Sequence, residues 1–260
     1  MNLATIIGVV GGIAMLLFSI LSGGNSIMNF IDIPSIVLVV VCPYIILFTF
    51  STLKEVLGVF GIVNLTFKVP NLNQQGIIKK LMAMSEKARR EGLLALEEEL
   101  EDLDDDFIKK GMRLVVDGTD AAIVRDLMEN EISQMQDRHI GKIAILNMWA
   151  SSAPAVGMMG TVIGLIGMLK NLEDKSALGP NMALALITTF YGSLIANFLM
   201  LPMAGKLKTF DAAEAKLKEM EIEGILSIQA GDNPRILAIK LLSYLTPPER
   251  KALESEIVND

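Results

Sequence analysis

Two threonines, one proline and one isolated acid are the residues of this 260-residue chain that could handle an ion. Thr161 and Thr189 put hydroxyl oxygens inside apolar stretches. Pro154 has no N–H and so frees a backbone carbonyl one turn earlier. Asp32 stands alone near the outer boundary of another apolar run. Oxygen ligands of this kind suit a hard cation such as Na⁺. No Asp, Glu, His, Lys or Arg lies in the middle of any apolar stretch. A protein that moves protons ordinarily keeps a titratable group at membrane depth. An ion crossing here therefore takes its binding carboxylate from another polypeptide.

The stretch that must position these oxygens is 153–169, which carries no charge and holds Pro154 and four glycines. At about 100° per residue, Gly157, Gly160, Thr161, Gly164 and Gly167 fall on one helix face, with Pro154 on the same side one turn earlier. The opposite face is Met, Val, Ile and Leu. Residues 181–203 mirror this pattern, gathering Ala185, Thr188, Thr189, Gly192 and Ala196 within about a third of the helix circumference. In lipid, small-residue stripes bring helices together by close packing rather than by water expulsion. The glycines, Gly192 included, are thus candidates for helix packing. Two readings stand at this level: a lined ion path, or a tight helix interface with no pathway.

Composition places these stretches in a membrane. The chain is 52% apolar with a mean hydropathy of +0.48, and its charges lie between four apolar blocks. A net charge of −7 disfavours nucleic acid, which needs clustered cations. No dinucleotide fingerprint, phosphate loop or zinc-ligand pair is present, and no cofactor is expected. The single cysteine, Cys42, allows no intrachain disulfide. The single histidine, His139, follows Asp137 and Arg138 and reads as a solvent-facing or helix-packing residue.

In chain order, residues 3–21 form a first span. A signal peptide is disfavoured because no basic segment precedes the run and no convincing cleavage site follows it. Residues 34–50 form a second span, with Pro34 suited to its first turn. The pair makes an antiparallel hairpin. Residues 54–142 are charged and helical in pattern. A stripe at Ile77, Ile78, Leu81, Met84, Ala88, Leu93 and Leu96 slips near Gly92, and an acidic run, 97–106, reads mostly as solvated surface. A short helix over 107–116 follows. Asp117-Gly118 turns the chain, and Thr119 or Asp120 caps a helix that continues into a third span near Ile143. Residues 170–180 are a polar turn, 181–203 the fourth span closed by Pro202, and 206–260 a helical tail broken at Gly231 and Pro234. Thr246-Pro247-Pro248-Glu249 starts the last helix.

The expected fold is an all-α membrane protein with four transmembrane helices. Its segments are a hairpin (1–53), a helical domain (54–142), a second hairpin on the ion-path side (143–205) and a helical tail (206–260). Of 23 basic residues, 13 fall in 54–142 and 8 in 206–260. The positive-inside rule therefore makes those segments, and both termini, cytoplasmic.

Motifs along the whole chain resemble the MotA/PomA family of bacterial flagellar stator A subunits. They are Asn-Leu-Ala-Thr-Ile-Ile-Gly at 2–8, Ala-Arg-Arg-Glu-Gly-Leu-Leu-Ala-Leu-Glu-Glu at 88–98 and Val-Asp-Gly at 116–118. Ala-Pro-Ala-Val-Gly-Met-Met-Gly-Thr at 153–161, Leu-Ile-Thr-Thr-Phe-Tyr-Gly at 186–192 and Gly-Asp-Asn-Pro-Arg at 231–235 complete the set. The resemblance implies a subunit of an ion-driven motor of the bacterial inner membrane rather than an enzyme. It implies a ring of five A subunits around a pair of single-span B subunits that supply the intramembrane aspartate. It further implies rotor contacts to FliG through Arg89 and Glu97, with Arg90 and Glu98 contributing, and conformational coupling through Pro154 and Pro202. If 89–97 is one helix, Arg89 and Glu97 lie about 80° apart and can meet one partner surface. Thr161, Thr189 and Asp32 match the sodium-type branch, so Na⁺ is favoured over H⁺. Pro43, beside Cys42, departs from the family pattern and is expected to kink a lipid-facing hairpin.

Three other readings compete. An ExbB/TolQ-type energiser shares the Pro…Gly-Thr and Thr-x-x-Gly cores, but such proteins resemble a three-span plan with a single N-terminal span. A transporter acting alone would need its own membrane-depth site. A scaffold without an ion path would use the small-residue faces for packing only.

Overall fold

The computed structural model describes residues 2–70, 72–101 and 103–259; Asp102 of the acidic run lies outside them. The described residues are helical, with no strand among them. The main helices are α1 (Leu3–Ser22), α2 (Ile33–Phe50), α3 (Gln74–Glu91), α4 (Asp106–Val116), α5 (Ala121–Lys170), α6 (Lys175–Gln229), α7 (Pro234–Leu242) and α8 (Pro247–Asn259). Four of them, α1, α2, α5 and α6, are long and apolar enough to cross a membrane. The chain divides into two units, one of residues up to Val69 with His139–Thr209, the other of Pro70–Arg138 with the segment from Phe210 onward.

The first unit holds the apolar helices. Asn2 caps α1, accepting from the Thr5 amide, while its own N–H donates to the Phe67 carbonyl at 2.8 Å. Thr5 Oγ1 donates to the Thr66 carbonyl at 3.2 Å. Residues 54–69, expected in the charged domain, belong instead to this unit. Val56, Val59 and Ile62 from two short helices, Leu53–Leu57 and Val59–Leu65, bury against a core that includes Leu47, Leu146 and Trp149. Burial of those apolar residues outweighs the few charges around them.

Prolines shape two of the four long helices. Before Pro43, residues 37–41 widen into a π turn in which the Cys42 N–H donates to the Val37 carbonyl. Proline has no N–H for the Val39 carbonyl, and its ring would strike that oxygen in a regular helix. Pro43 itself is buried. The same device recurs at residues 194–200, where the Leu201 N–H donates to the Ala196 carbonyl just ahead of Pro202. The helix does not end at Pro202: α6 continues through it to Gln229. The preceding turn is shorter than expected, because Asp174 caps α6 at Lys175 and the helix absorbs Pro180.

The second unit unites the charged middle segment and the tail, expected as separate pieces, around one core. Leu81, Ile108, Met112, Val124, Met128, Met220, Ile225, Leu237 and Leu241 meet there. Asp105 caps α4 and Asp120, rather than Thr119, caps α5, accepting from the Ala122 amide. The Thr119 carbonyl accepts from Gln229 Nε2. Gly118 and Gly231 take φ of +77° and +70° at the two corners. Asp232 ties the second corner, accepting from Ser227 Oγ and from Lys240 Nζ at 2.8 Å.

Candidate functional site

The crossing of α5 and α6 brings backbone against backbone. A Cβ at Gly157 would lie 2.7 Å from the Thr188 carbonyl oxygen, and one at Gly160 2.6 Å from the Thr188 side chain. At Gly164 and Gly167 it would lie 2.5 Å from Asn181, from its carbonyl and its side-chain oxygen respectively. From the other side, a Cβ at Gly192 would sit 2.8 Å from the Ala153 carbonyl and 3.0 Å from Pro154 Cα. Only glycine permits this approach. The helix that fills the stripe is the next span of the same chain.

That approach assembles a cluster of oxygens. Thr161 Oγ1 lies 2.5 Å from Thr189 Oγ1, 3.0 Å from the Ala185 carbonyl and 3.3 Å from the Gly157 carbonyl. Thr189 Oγ1 is 3.3 Å from the same Ala185 oxygen. Two hydroxyl protons serve four oxygens, so lone pairs remain whichever way the hydroxyls rotate. Thr189 is exposed on the chain and Thr161 half-buried, so the cluster opens to one side rather than into the core. By contrast Thr188 is fully buried, its hydroxyl donating back to the Leu184 carbonyl at 2.8 Å. Chemically, the open group is a set of neutral oxygen donors.

The other two residues proposed for an ion path, Asp32 and Pro154, and the coupling residue Pro202 are not among this cluster's hydrogen-bond partners. Asp32 is the N-cap of α2: its Oδ2 accepts from the Ser35 amide at 2.9 Å and from Ser35 Oγ at 2.5 Å. Pro154 lies one turn beyond Gly157, against Gly192. Pro202 follows Thr189 by thirteen residues, about 20 Å along a helix axis. Sequence reasoning passed over the Ala185 carbonyl and Asn181, which carry no chemical signature of their own. The spacing of Ala185 and Thr189, four residues apart, is the one signal for a back-bonding hydroxyl. It also missed the Tyr191 hydroxyl, which donates to the Phe30 carbonyl, and the edge-on contact of Phe30 with Phe190 at 5.7 Å. These tie the short connection after α1 to the turn that bears Thr189.

The second candidate site, in the other unit, departs from the single helix assumed for it. Gly92, at φ +90°, ends α3, and the chain resumes as a 3₁₀ turn (Leu93–Leu96) before a short helix, Glu97–Glu101. Arg89 and Glu97 are therefore on different elements, and the 80° relation does not hold. Residues other than glycine rarely reach that backbone conformation, which is why the stripe slips there. Arg89 and Arg90 are exposed in the last turn of α3, and Arg90 pairs with Glu86 at 3.7 Å. Glu97 and Glu98 are exposed and line a shallow concavity of about 650 Å³ with Lys87, Glu91, Leu94 and Glu101. Lys87 Nζ clamps the two sides together by its 2.9 Å bond to Glu99.

Comparison with known proteins covers the whole chain. A model of the MotA/TolQ/ExbB proton channel family matches residues 99–220. The chain is 50% identical to Motility protein A of Treponema pallidum (strain Nichols) over 260 residues, spanning all of both chains. It is 36% identical to Chemotaxis protein PomA of Vibrio alginolyticus, over 98% of this chain and 99% of that one. Among solved structures it is similar to the flagellar MotAB stator complex from Bacillus subtilis, with TM-score 0.88, 33% identity and coverage of 96% and 98%. The C. jejuni MotAB structure matches with TM-score 0.87, 29% identity and coverage of 95% and 97%.

Proposed function

Because the chain belongs to the MotA/PomA family of flagellar stator A subunits, we propose that it passes Na⁺ along the α5–α6 face and converts that flow into torque. The observation that carries the ion assignment is the open cluster of Thr161, Thr189 and the Ala185 carbonyl. A hydroxyl pair is useful to a cation that must shed water and unnecessary to a hopping proton.

Four spans without a central charge leave the ion's carboxylate to a partner. The similar solved structures are of MotAB, which supports a B subunit as that partner; in this reading it has a single span and bears the intramembrane aspartate. In this reading five copies of the chain surround two B subunits in the inner membrane, with the middle segment and tail, which carry most of the Lys and Arg residues, in the cytoplasm. Arg89, Arg90, Glu97 and Glu98 face the rotor protein FliG. Exposed charges of this kind orient and steer a partner rather than hold it tightly, which suits a contact remade at every step. Each ion delivers about 2.3 kcal/mol per 100 mV, and Pro154 and Pro202 let α5 and α6 bend as it passes. The energiser alternative is set aside, because the full-length relatives carry motility and chemotaxis names.

The test is swimming speed, across a Na⁺ series at fixed pH, of cells whose sole stator is this protein with its B subunit. Speed that climbs with Na⁺, and loses that dependence in Thr161→Ala, supports the assignment. Speed indifferent to Na⁺ but abolished by a protonophore makes the stator proton-driven. No restored motility overturns the motor reading.

A further inference from the structure

We propose that Lys87 is a positioning residue for torque: its bond to Glu99 spans the break at Gly92 and sets Glu97 and Glu98 against Arg89 and Arg90, without Lys87 itself meeting the rotor. The inference rests on the rotor-facing reading of those four residues given above. All of them lie in the second unit.

The four charges stand on two elements joined by a turn. Two backbone bonds carry the chain round it, from the Gly92 N–H to the Ala88 carbonyl and from the Ala95 N–H to the Gly92 carbonyl. The helix that follows, Glu97–Glu101, has five residues, four of them glutamates. Such a piece is far below the length at which a helix holds itself, and Glu97 and Glu101 repel one another a turn apart. Leu96 and Leu100 are buried and fix one face to the core. They set how deep the helix lies, but two residues on one apolar line do not stop the acidic face from rolling about it.

Lys87 supplies the further point of attachment. It lies on α3 one turn before Glu91, on the same face, and among the described residues it is the one cation in the lining of the acidic concavity. The bond to Glu99 raises Lys87 above the ordinary lysine range, and the charges of Glu99, Glu91 and Glu98 add to that rise against some desolvation. The pair is more shielded than Arg90–Glu86 on the same helix: its side chains are 27% and 42% exposed, against 77% and 53%. Shielding leaves it less screened by salt and gives the tie a definite geometry. Lys87 and Arg89 are about 200° apart around α3, so a lysine turned toward Glu99 leaves Arg89 directed elsewhere and exposed.

The experiment uses the full chain with its B subunit, in cells for torque under load and purified for hydrogen exchange over residues 93–101. Lys87→Met keeps the aliphatic stem and removes the charge. It should cut torque by about half and quicken exchange at 97–101 about threefold, with stator levels in the membrane unchanged. Lys87→Arg keeps the charge and should match the wild type. The reversals Lys87→Glu and Glu99→Lys should each lose torque, and the two together should recover part of it. Wild-type torque in Lys87→Met overturns the proposal and leaves the motor reading standing. Reduced torque with unchanged exchange overturns it as well, as does a double reversal no better than either single one, because Lys87 would then be meeting the rotor itself. Where Lys87→Met fails to assemble, Glu99→Gln removes the same bond from the other side; failure of both to assemble makes the pair a folding contact and also overturns the proposal. Exchange needs no working motor, so quickened exchange in a complex that drives no swimming rejects only the motor reading.

Discussion

Thr161 and Thr189, 28 residues apart in sequence, stand with their hydroxyl oxygens 2.5 Å apart across the α5–α6 crossing, both in reach of one carbonyl, that of Ala185. Neither threonine sits at a glycine contact. The glycines draw the helices in, and the threonines meet because of it.

The first prediction separates oxygen from shape. Thr189→Ser keeps the hydroxyl and should keep Na⁺-dependent swimming, whereas Thr189→Val keeps the volume and should raise the Na⁺ needed for half-maximal speed about tenfold, the effect of losing one neutral hydrogen-bonding ligand. Speed against Na⁺ concentration for both variants checks it. Equal behaviour of Ser and Val would remove Thr189 from the path.

A second prediction concerns packing. Gly160→Ala meets the Thr188 side chain, whereas Gly157→Ala meets the Thr188 carbonyl. Each should cost about 1–3 kcal/mol of stability by overpacking. Adding Thr188→Gly should restore Gly160→Ala but not Gly157→Ala, because only the former conflict is with a side chain. Thermal unfolding of the purified single and double variants reads the difference.

A third prediction lies at Gly92. A Cβ there meets nothing, so Gly92→Ala tests backbone conformation alone. The strain at φ +90° should cost about 1–3 kcal/mol, and relief by straightening would carry Glu97 and Glu98 to a new place relative to Arg89. Torque should fall while stator assembly persists, as motor speed under load and membrane-protein levels would show.

The fourth prediction is a pH dependence in the second unit. Glu221 is fully buried; its Oε2 accepts from Lys218 Nζ at 3.0 Å, and its Oε1 has no partner. Burial pushes this carboxyl up to about 7, against the pull of Lys218, with Asp105 and Glu214 adding to the rise. Lys218 is shared, lying 3.1 Å from both Asp105 oxygens, and the two acids outweigh its own desolvation to hold it charged. A carboxyl raised in the folded state binds its proton more tightly there than in the unfolded chain. Stability is therefore greatest below the ordinary carboxylate pKa and falls as pH rises toward 7, by at most about 3 kcal/mol. Glu221→Gln should flatten that slope and be the more stable protein at pH 8, measured by thermal unfolding followed through helical circular dichroism.

Much of this protein is decided by one-dimensional pattern. Four uncharged runs force four helices in lipid, where every backbone group must be bonded within its own segment. Asn2, Asp32 and Asp120 start helices because a short polar side chain can take an orphan N–H in place of the missing turn. The glycine face of 157–167 was visible as a stripe because helix geometry fixes which residues align, and the motifs at 88–98 and 153–161 carried the family with them.

What needed the tertiary structure was everything that depends on a second element. The stripe does not say which helix fills it; Thr188, Asn181 and Ala185 do so because the connection after α5 is only a few residues long and brings α6 back against it. Pro202 reads as a helix end in one dimension, yet the chain escapes the steric conflict by widening a turn and α6 runs on, an option that local rules for proline do not weigh. Arg89 and Glu97 look like one helix face by count, and a single positive φ at Gly92 separates them. Residues 54–69 carry charges like the domain that follows, but Val56, Val59 and Ile62 find their partners in the spans. In each case the sequence states a residue's own preference, while the outcome turns on the surface it meets, and that surface exists only once the chain has folded.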